Sequence, residues 1–477
     1  MRIPKIFYFI ILLWTCFGAQ AQNKQVLYDF SEIPQSLMIN PGVQSDFKWY
    51  AGIPGISGLS FQIGSSGVSA YDLFAADGID FNTKFRNRLI GGMTRRDELS
   101  GTYQLELLNV GFRSQDPNVF YSFGIYNEGD AIGYWFEDYA ILAIEGNADR
   151  LNQRFDLGDL KTRGEMMNVF HFGVNKKIDN KFTVGARGKI YSSIFDFNST
   201  RNKGFFVTRP GQNNLLSSTI NADMKWRTSG INALKNAASD DEIPSTILKR
   251  GFFGGNLGLG IDLGFTYQIN KQTVFTASLL DLGFIYHSND VENYTLKGDV
   301  TTEGVEVILP GDILDPSRDF WQDLVDDIEE ILPFENNFKN YITFRPTKLN
   351  ASLRYNWGEQ SLRAADCDCG PNVNRSNRAQ KFVNGVGGQL YVINRPRGPQ
   401  TALTAFYQRR FGNVLAVKAT YTADKFTYTN VGFGMNLQAG PVNLYVIADN
   451  LLAYRNIADS QYASFQLGLN IISWGKK

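Results

Sequence analysis

Between Gly385 and Trp474 short runs alternate apolar and polar residues with brief turns between them, and this period of two constrains the chain most. In residues 426–438, Val431, Phe433, Met435 and Leu437 fall on one side, with Asn430, Gly432, Gly434, Asn436 and Gln438 on the other. Successive side chains of a strand point to opposite faces, so such a run is a ribbon with one oily and one polar face. Just before it, Leu415, Val417, Ala419 and Tyr421 lie opposite Ala416, Lys418 and Thr420. Just after it, Val442, Leu444, Val446 and Ala448 alternate with Asn443, Tyr445 and Asp449, and Phe465–Trp474 repeats the pattern. Ribbons joined by tight turns predict an antiparallel meander. What lies against the oily faces decides the fold class.

No run of 18 apolar residues follows Trp14, and mean hydropathy is −0.22, which argues against membrane-spanning helices. Aromatic residues reach 14%, and glycine (46) outnumbers proline (15) threefold, a balance suited to a large β protein with aromatic girdles. The 47 basic and 47 acidic residues cancel, leaving no basic footprint for nucleic acid.

The first 21 residues read as a secretory signal: Arg2 and Lys5 at the charged start, Ile6–Trp14 as the apolar core, and Ala19-Gln20-Ala21 as a small-x-small cleavage site. Cys16 invites a lipoprotein reading, but the bulky Trp14 stands where a lipobox needs small residues. Cleavage is expected after Ala21, leaving Cys367 and Cys369 in the exported chain.

An exported chain of half-oily strands either stacks two sheets or closes into a barrel that turns its oily face to lipid. The opposite faces here carry Asn, Gln, Lys, Gly, Thr and Asp, too polar for a dry sandwich core. Residues 257–269 repeat the signature over a length that crosses a bilayer at a barrel's tilt. The prediction is an all-β, antiparallel up-and-down transmembrane β-barrel of about fourteen strands, or sixteen if weak runs count, with an N-terminal plug or lead segment and helical extracellular insertions. Residues 22–55 form the lead and 56–477 the barrel, in the outer membrane of a Gram-negative bacterium. Tight turns at 115–118, 178–180, 210–212, 270–272, 411–413 and 439–441 are placed in the periplasm. Long loops at 128–163, 228–249 and 288–340 then fall outside, the last holding an acidic helix over 316–331. The long connection 358–381 alone breaks the pattern, on the periplasmic side.

Several short motifs support a family resemblance: Asn40-Pro41 in the lead, residues 53–60 (IPGISGLS), 145–148 (EGNA), 280–284 (LDLGF) and 448–452 (ADNLL). With the signal and the loop placement, they make the chain similar to FadL-like outer-membrane barrels of Bacteroidota, a group that includes PorV and PorP/SprF-type proteins. The FadL type implies an N-terminal plug and passage of hydrophobic compounds. The PorV or PorP type implies a partner role in type IX secretion. FadL itself has Asn-Pro-Ala near its barrel start, where this chain has Gly42 as the third residue.

Inward phasing makes Arg187, Lys189, His171, Asp262, Lys418 and Asn436 the candidate ligand or lumen residues. His171 and His287 are the only histidines, which excludes a multi-histidine metal site. A lumen-lining, hydrogen-bonded His171 is expected rather than a catalytic base, since no nucleophile or orienting partner lies nearby in sequence. Asp366, Cys367, Asp368 and Cys369 suggest a soft-metal, calcium or disulfide site, but two thiols are too few for zinc and no bidentate Glu completes a calcium loop. A polar loop with incidental cysteines is the plainer reading. No cofactor is implied. Three hypotheses remain: a barrel that binds or admits hydrophobic or amphipathic small molecules; a non-transporting partner of an envelope or secretion complex, reached through loop 358–381; and an outer-membrane enzyme, which needs a Ser or Asp within reach of a histidine. The last is not expected. Outer-membrane lipids are the expected surroundings.

Overall fold

The computed structural model describes residues 24–147, 149–211, 216–235, 242–303, 335–359, 382–426, 428 and 430–474. The signal 1–21, the acidic helix 316–331 and the motif Asp366–Gly370 lie outside the described residues. The oily ribbons pair edge to edge until the sheet closes on itself. Strands β1 (Phe47–Gly52) and β2 (Leu59–Ser65) share one wall position, and both pair with β3 (Glu98–Arg113) on one side. The wall continues through β4 (Val119–Tyr134); β5 (Arg154–Asp156) lies in the next loop, and β6 (Thr162–Lys177) pairs with β4. After β6 comes β7 (Phe182–Pro210), followed in sequence by β8 (Leu216–Ser229). The lower half of β7 pairs with β9 (Asn256–Gln268), and β9 pairs with β10 (Thr273–His287). Strand β11 (Val291–Glu303) follows, then β12 (Glu335–Asn337), while β13 (Tyr341–Phe344) and β14 (Lys348–Glu359) share the wall position beside β10. The wall is completed by β15 (Phe382–Arg395), β16 (Gly398–Phe411), β17 (Leu415–Ala423), β18 (Asn430–Ala439), β19 (Val442–Asp449) and β20 (Tyr462–Trp474). Strand β20 pairs antiparallel with β1 and β2, closing a 14-strand barrel. Closure removes the free edges that an open sheet would expose. No described helix is long and apolar enough to cross a membrane.

Outward side chains are the oily set: Leu257, Leu259, Ile261 and Leu263 of β9 are exposed, as are Phe172, Leu353 and Leu403 around the wall. Inward ones are buried, among them Asp262, Lys418, Asn436, Gln438, Asn443 and Asn470. The phasing follows the alternation predicted from sequence.

Two expectations need correction. The wall begins at Phe47, inside the segment assigned to the lead, because β1 has β20 and β3 to pair with. Pro210, the first residue of the expected 210–212 turn, lies at the end opposite the 178–180 turn, because β7 is one unbroken strand of 29 residues. Its polar stretch 198–203 reads as a loop, yet it pairs with β8, which pairs in turn with β11. These strands extend the sheet beyond the wall as a platform, and one face packs Phe206, Met224 and Leu296 against Ile141, Phe155 and Leu157.

The lead segment fills much of the middle. Residues 24–46 lie inside the barrel, and Val26, Leu27, Tyr28, Phe30 and Ile33 pack on Leu280, Ala416, Tyr445 and Ile447 of the wall. Leu37 and Val43 meet Phe47, Tyr50 and Phe120, and Met38 meets Tyr126, Val169 and Tyr191. Many of the apolar residues that the alternation turns inward are received by the plug, while Tyr391, Ile393 and Ala402 pack on one another. The inward glycines are its seat: a Cβ on Gly185 would overlap the Pro41 carbonyl, and one on Gly264 the Asn40 side chain.

Candidate functional site

The plug is a short irregular segment with one helical turn, Ser36–Ile39, and Pro34 and Pro41 limit its regular hydrogen bonding. Its polar backbone groups therefore need partners from the wall. Lys418 Nζ donates to Tyr28 O (2.5 Å) and Gln389 Oε1 (2.9 Å), above the Phe406 ring. Arg187 Nη1 donates to Leu37 O (3.3 Å), Ser278 Oγ to Ile39 O (2.7 Å), and Asn175 Nδ2 to Pro41 O (2.7 Å) and Val43 O (2.9 Å). Arg354 pairs with Asp29 (3.0 Å), and Gln408 donates to Glu32 Oε2 (3.0 Å). The plug's Gln35 donates to Ser57 O, Glu106 Oε2 and Asn470 Oδ1 at 2.7, 3.0 and 2.9 Å. Ser57 belongs to the break between β1 and β2, so the plug also seals the one interrupted stretch of that wall position.

Above the plug lies a chamber of about 70 Å³. Met38, Ile39 and Leu280 supply its apolar surface, and Arg187, Lys189, Asp281, Arg345, Lys348, Glu128 and Asp130 its charged walls. Arg187 Nε donates to Asp262 Oδ2 (2.7 Å), and Lys189 bridges Asp262 (2.9 Å) and Asp281 (2.5 Å). Lys348 also reaches Asp281 (2.8 Å). Buried charge of this density is tolerated only when paired and hydrogen-bonded.

The lumen is also tied across its width. Arg345 at the β13–β14 junction pairs with Glu128 of β4 and Glu165 of β6. Arg395 of β15 pairs with Asp130 of β4 (2.5 Å), and Gln400 of β16 donates to Glu98 of β3 (2.9 Å). Lys425 adds a bond to Glu98 (2.8 Å). These strands are several wall positions apart, so the pairs bridge the long-loop end of the lumen. Loops 66–97 and 135–161 cover it, sharing the cluster Val68, Leu89, Met93, Trp135 and Ala140. There Arg95 pairs with Asp138 (2.8 Å), Asp156 (3.1 Å) and Asp159 (3.0 Å). Burial of Asp159, reinforced by Asp156 and Asp138, pushes its carboxyl up to about 6 against the pull of Arg95 and Arg397.

Of the six residues singled out from sequence, Arg187, Lys189 and Asp262 come together at the chamber. Lys418 holds the plug elsewhere, and Asn436 accepts from Asn443 Nδ2 (2.8 Å). His171 is buried facing inward beside Tyr126, but neither ring nitrogen has a hydrogen-bond partner among the described residues, contrary to the hydrogen-bonded role expected of it. The serine and aspartate near a histidine occur at His287 instead: Nδ1 meets Ser229 Oγ (2.7 Å), Nε2 meets Thr343 Oγ1 (2.8 Å), and Asp196 Oδ1 lies 4.0 Å away. Asp196 accepts from Tyr341 (2.9 Å) rather than orienting the ring, and Ser229, His287 and Asp196 are all buried. A substrate has no access to that serine. Among the described residues no group of three or more His, Cys, Asp or Glu side chains is arranged to hold a metal. Sequence reasoning missed Asp281 because it is the extra residue of a β10 bulge, at φ 59°, that reverses the alternation after Leu280.

Residues 41–449 match the family model described as "Family of unknown function (DUF5723)". The chain belongs to that family. No curated protein matches this DUF5723 barrel. Solved structures similar to it include the P. putida toluene transporter TodX (TM-score 0.34, 10% identity, 95% of this chain and 93% of that chain). The Ralstonia pickettii toluene transporter TbuX follows at TM-score 0.39, 10% identity, and 96% of each chain. A Pseudomonas aeruginosa FadL homologue gives TM-score 0.40 at 8% identity, over 96% of this chain and 98% of that chain. At such scores these neighbours lend the DUF5723 barrel neither ligand nor mechanism.

Proposed function

We propose that this chain is an integral outer-membrane barrel of a Gram-negative envelope, exported by its first 21 residues, that binds or admits amphipathic small molecules from the long-loop side. The chamber carries this reading: its charged walls suit the polar head of such a molecule, whose apolar part lies outside the chamber. The short turns then face the periplasm, and the plug, held only by noncovalent bonds, is the element to be displaced. Arg187 and Lys189 are the ligand-facing residues of this reading, with Asp262 behind them as their counter-ion. Lys418, Asn436 and His171 support the plug and the wall.

A lumen occupied by the plug and bridged by ion pairs favours a second reading, a non-transporting partner of an envelope complex such as type IX secretion, docking through residues 358–381. Proteoliposomes separate the two. Under the first reading the full mature chain takes up a short fluorescent amphiphile while passing little ion current, and deletion of 24–46 raises conductance. A full-length barrel that neither binds nor admits the probe, yet retains envelope proteins through a tag and loses them when 358–381 is replaced, supports the second.

A further inference from the structure

We infer that the chamber above the plug is a binding site for one small oxyanion, of phosphate or carboxylate chemistry and no larger than phosphate, held by Lys24, Lys348 and Tyr391. The carboxylates at the chamber are already engaged: Glu128 by Arg345, Asp130 by Arg395, and Asp281 by Lys189 and Lys348. Donors remain. The Tyr391 hydroxyl lines the cavity, is buried, and has no hydrogen-bond partner among the described residues. The Lys24 ammonium meets no carboxylate within ion-pair distance among them; its contact is the Gln104 amide oxygen. Lys24 feels the positive charge of Lys348 and, each more weakly, the negative charges of Glu106, Glu128 and Asp281, and Lys348 in turn lies beside Tyr391.

The Lys24 ammonium and the unused Tyr391 hydroxyl face one void beside Lys348, whose carboxylate is shared with Lys189, so an anion there supplies the missing acceptor. Arg163 and Arg395, and Asp262, Glu165 and Glu106, surround the charged lining of the chamber. Of the cations in this group, Lys24 alone has no carboxylate within ion-pair distance among the described residues. The volume has room for roughly five waters, which accommodates a hydrated oxyanion but no hydrocarbon tail. The inference goes beyond the uptake reading and stands without it.

Titration calorimetry on the full mature chain in a non-ionic detergent, at constant ionic strength, tests it. Inorganic phosphate or acetate should bind once per chain, with Tyr391→Phe weakening binding about tenfold and Lys24→Met abolishing it. Heat-modifiable gel migration reports that each variant remains folded. Octanoate binding no tighter than acetate identifies a free small ion as the occupant. Octanoate binding tenfold tighter or more identifies an amphiphile's headgroup and overturns the size limit. Absence of saturable binding by the wild type overturns the site, as does unchanged binding in both variants (an ion bound elsewhere). Neither result touches uptake of an uncharged amphiphile, which tests the functional reading separately.

Discussion

Asp262 serves two buried cations at once, and its loss leaves both Arg187 and Lys189 short of a partner. Breaking a buried pair from one side costs about 3–5 kcal/mol, more than the pair itself contributes relative to an apolar substitute. Asp262→Asn should therefore lower the unfolding free energy obtained from urea titration of the barrel by that amount. A variant with all three residues replaced by apolar ones should fall by less; an Asp262→Asn protein within 1 kcal/mol of wild type, on the scale of exposed pairs, would contradict the pairing. Asp159 makes a different prediction in the loop cap. Its folded carboxyl titrates near 6, above the ordinary aspartate range, so the folded cap holds the proton more tightly than the unfolded chain does. Protonation thus adds stability that is present in acid and lost as pH rises through about 6. Hydrogen exchange at 154–161, corrected for intrinsic rates, should be slower at pH 5 than at pH 7.5, and Asp159→Asn should remove the difference. Inward phasing made Arg187, Lys189 and Asp262 legible from the alternation. Asp281, Arg345 and Lys348 were not legible, because a bulge and a strand break, neither visible in a period of two, bring them to the chamber.

At the level of elements, the plug and the wall are each incomplete alone. The plug's carbonyls depend on Lys418, Ser278 and Asn175, and the wall's inward Ala416, Tyr445 and Ile447 depend on Val26, Tyr28 and Phe30. This is why the interior reads as polar from the wall sequence yet packs as a core. The strands supply most of the polar groups, and the apolar half arrives from residues distant in sequence. Gly185 and Gly264 make the dependence testable. They lie opposite each other across β7 and β9, and both back onto Asn40-Pro41-Gly42. Gly185→Val has a side chain that a strand accepts, so the wall should still form while the plug is pushed out. The expected outcome is normal heat-modifiable migration, higher ion conductance, and new protease cleavage within 24–46. Unchanged conductance and protection would mean that the plug is not seated on these glycines. The β7 turn shows the converse limit. Polar residues 198–203 signal a loop when a strand is taken to need an oily face, but above the wall a strand needs only a neighbour, and β8 supplies it.

For the whole molecule, the decisive question is which medium the outer surface meets. The registers close the sheet without a seam, and the plug fills its inside, so no second sheet can cover Leu257, Leu259, Ile261 and Leu263 from within. A contiguous apolar surface of this kind on a monomer in water would drive association, whereas in a bilayer it is the required surface. A single arginine distinguishes these media by position. Leu263 sits midway along β9, exposed on the outer face, and Leu263→Arg should cost about 2–4 kcal/mol of folding free energy into lipid vesicles, the range for a basic residue near the midplane. Thr301→Arg, exposed on the platform beyond the wall, should cost close to nothing by the same tryptophan-fluorescence titration. The contrast is the measurement, because a general intolerance of new charge would penalise both positions. Equal costs at 263 and 301 would mean that the oily face meets no hydrocarbon, and the outer-membrane assignment would fail with it.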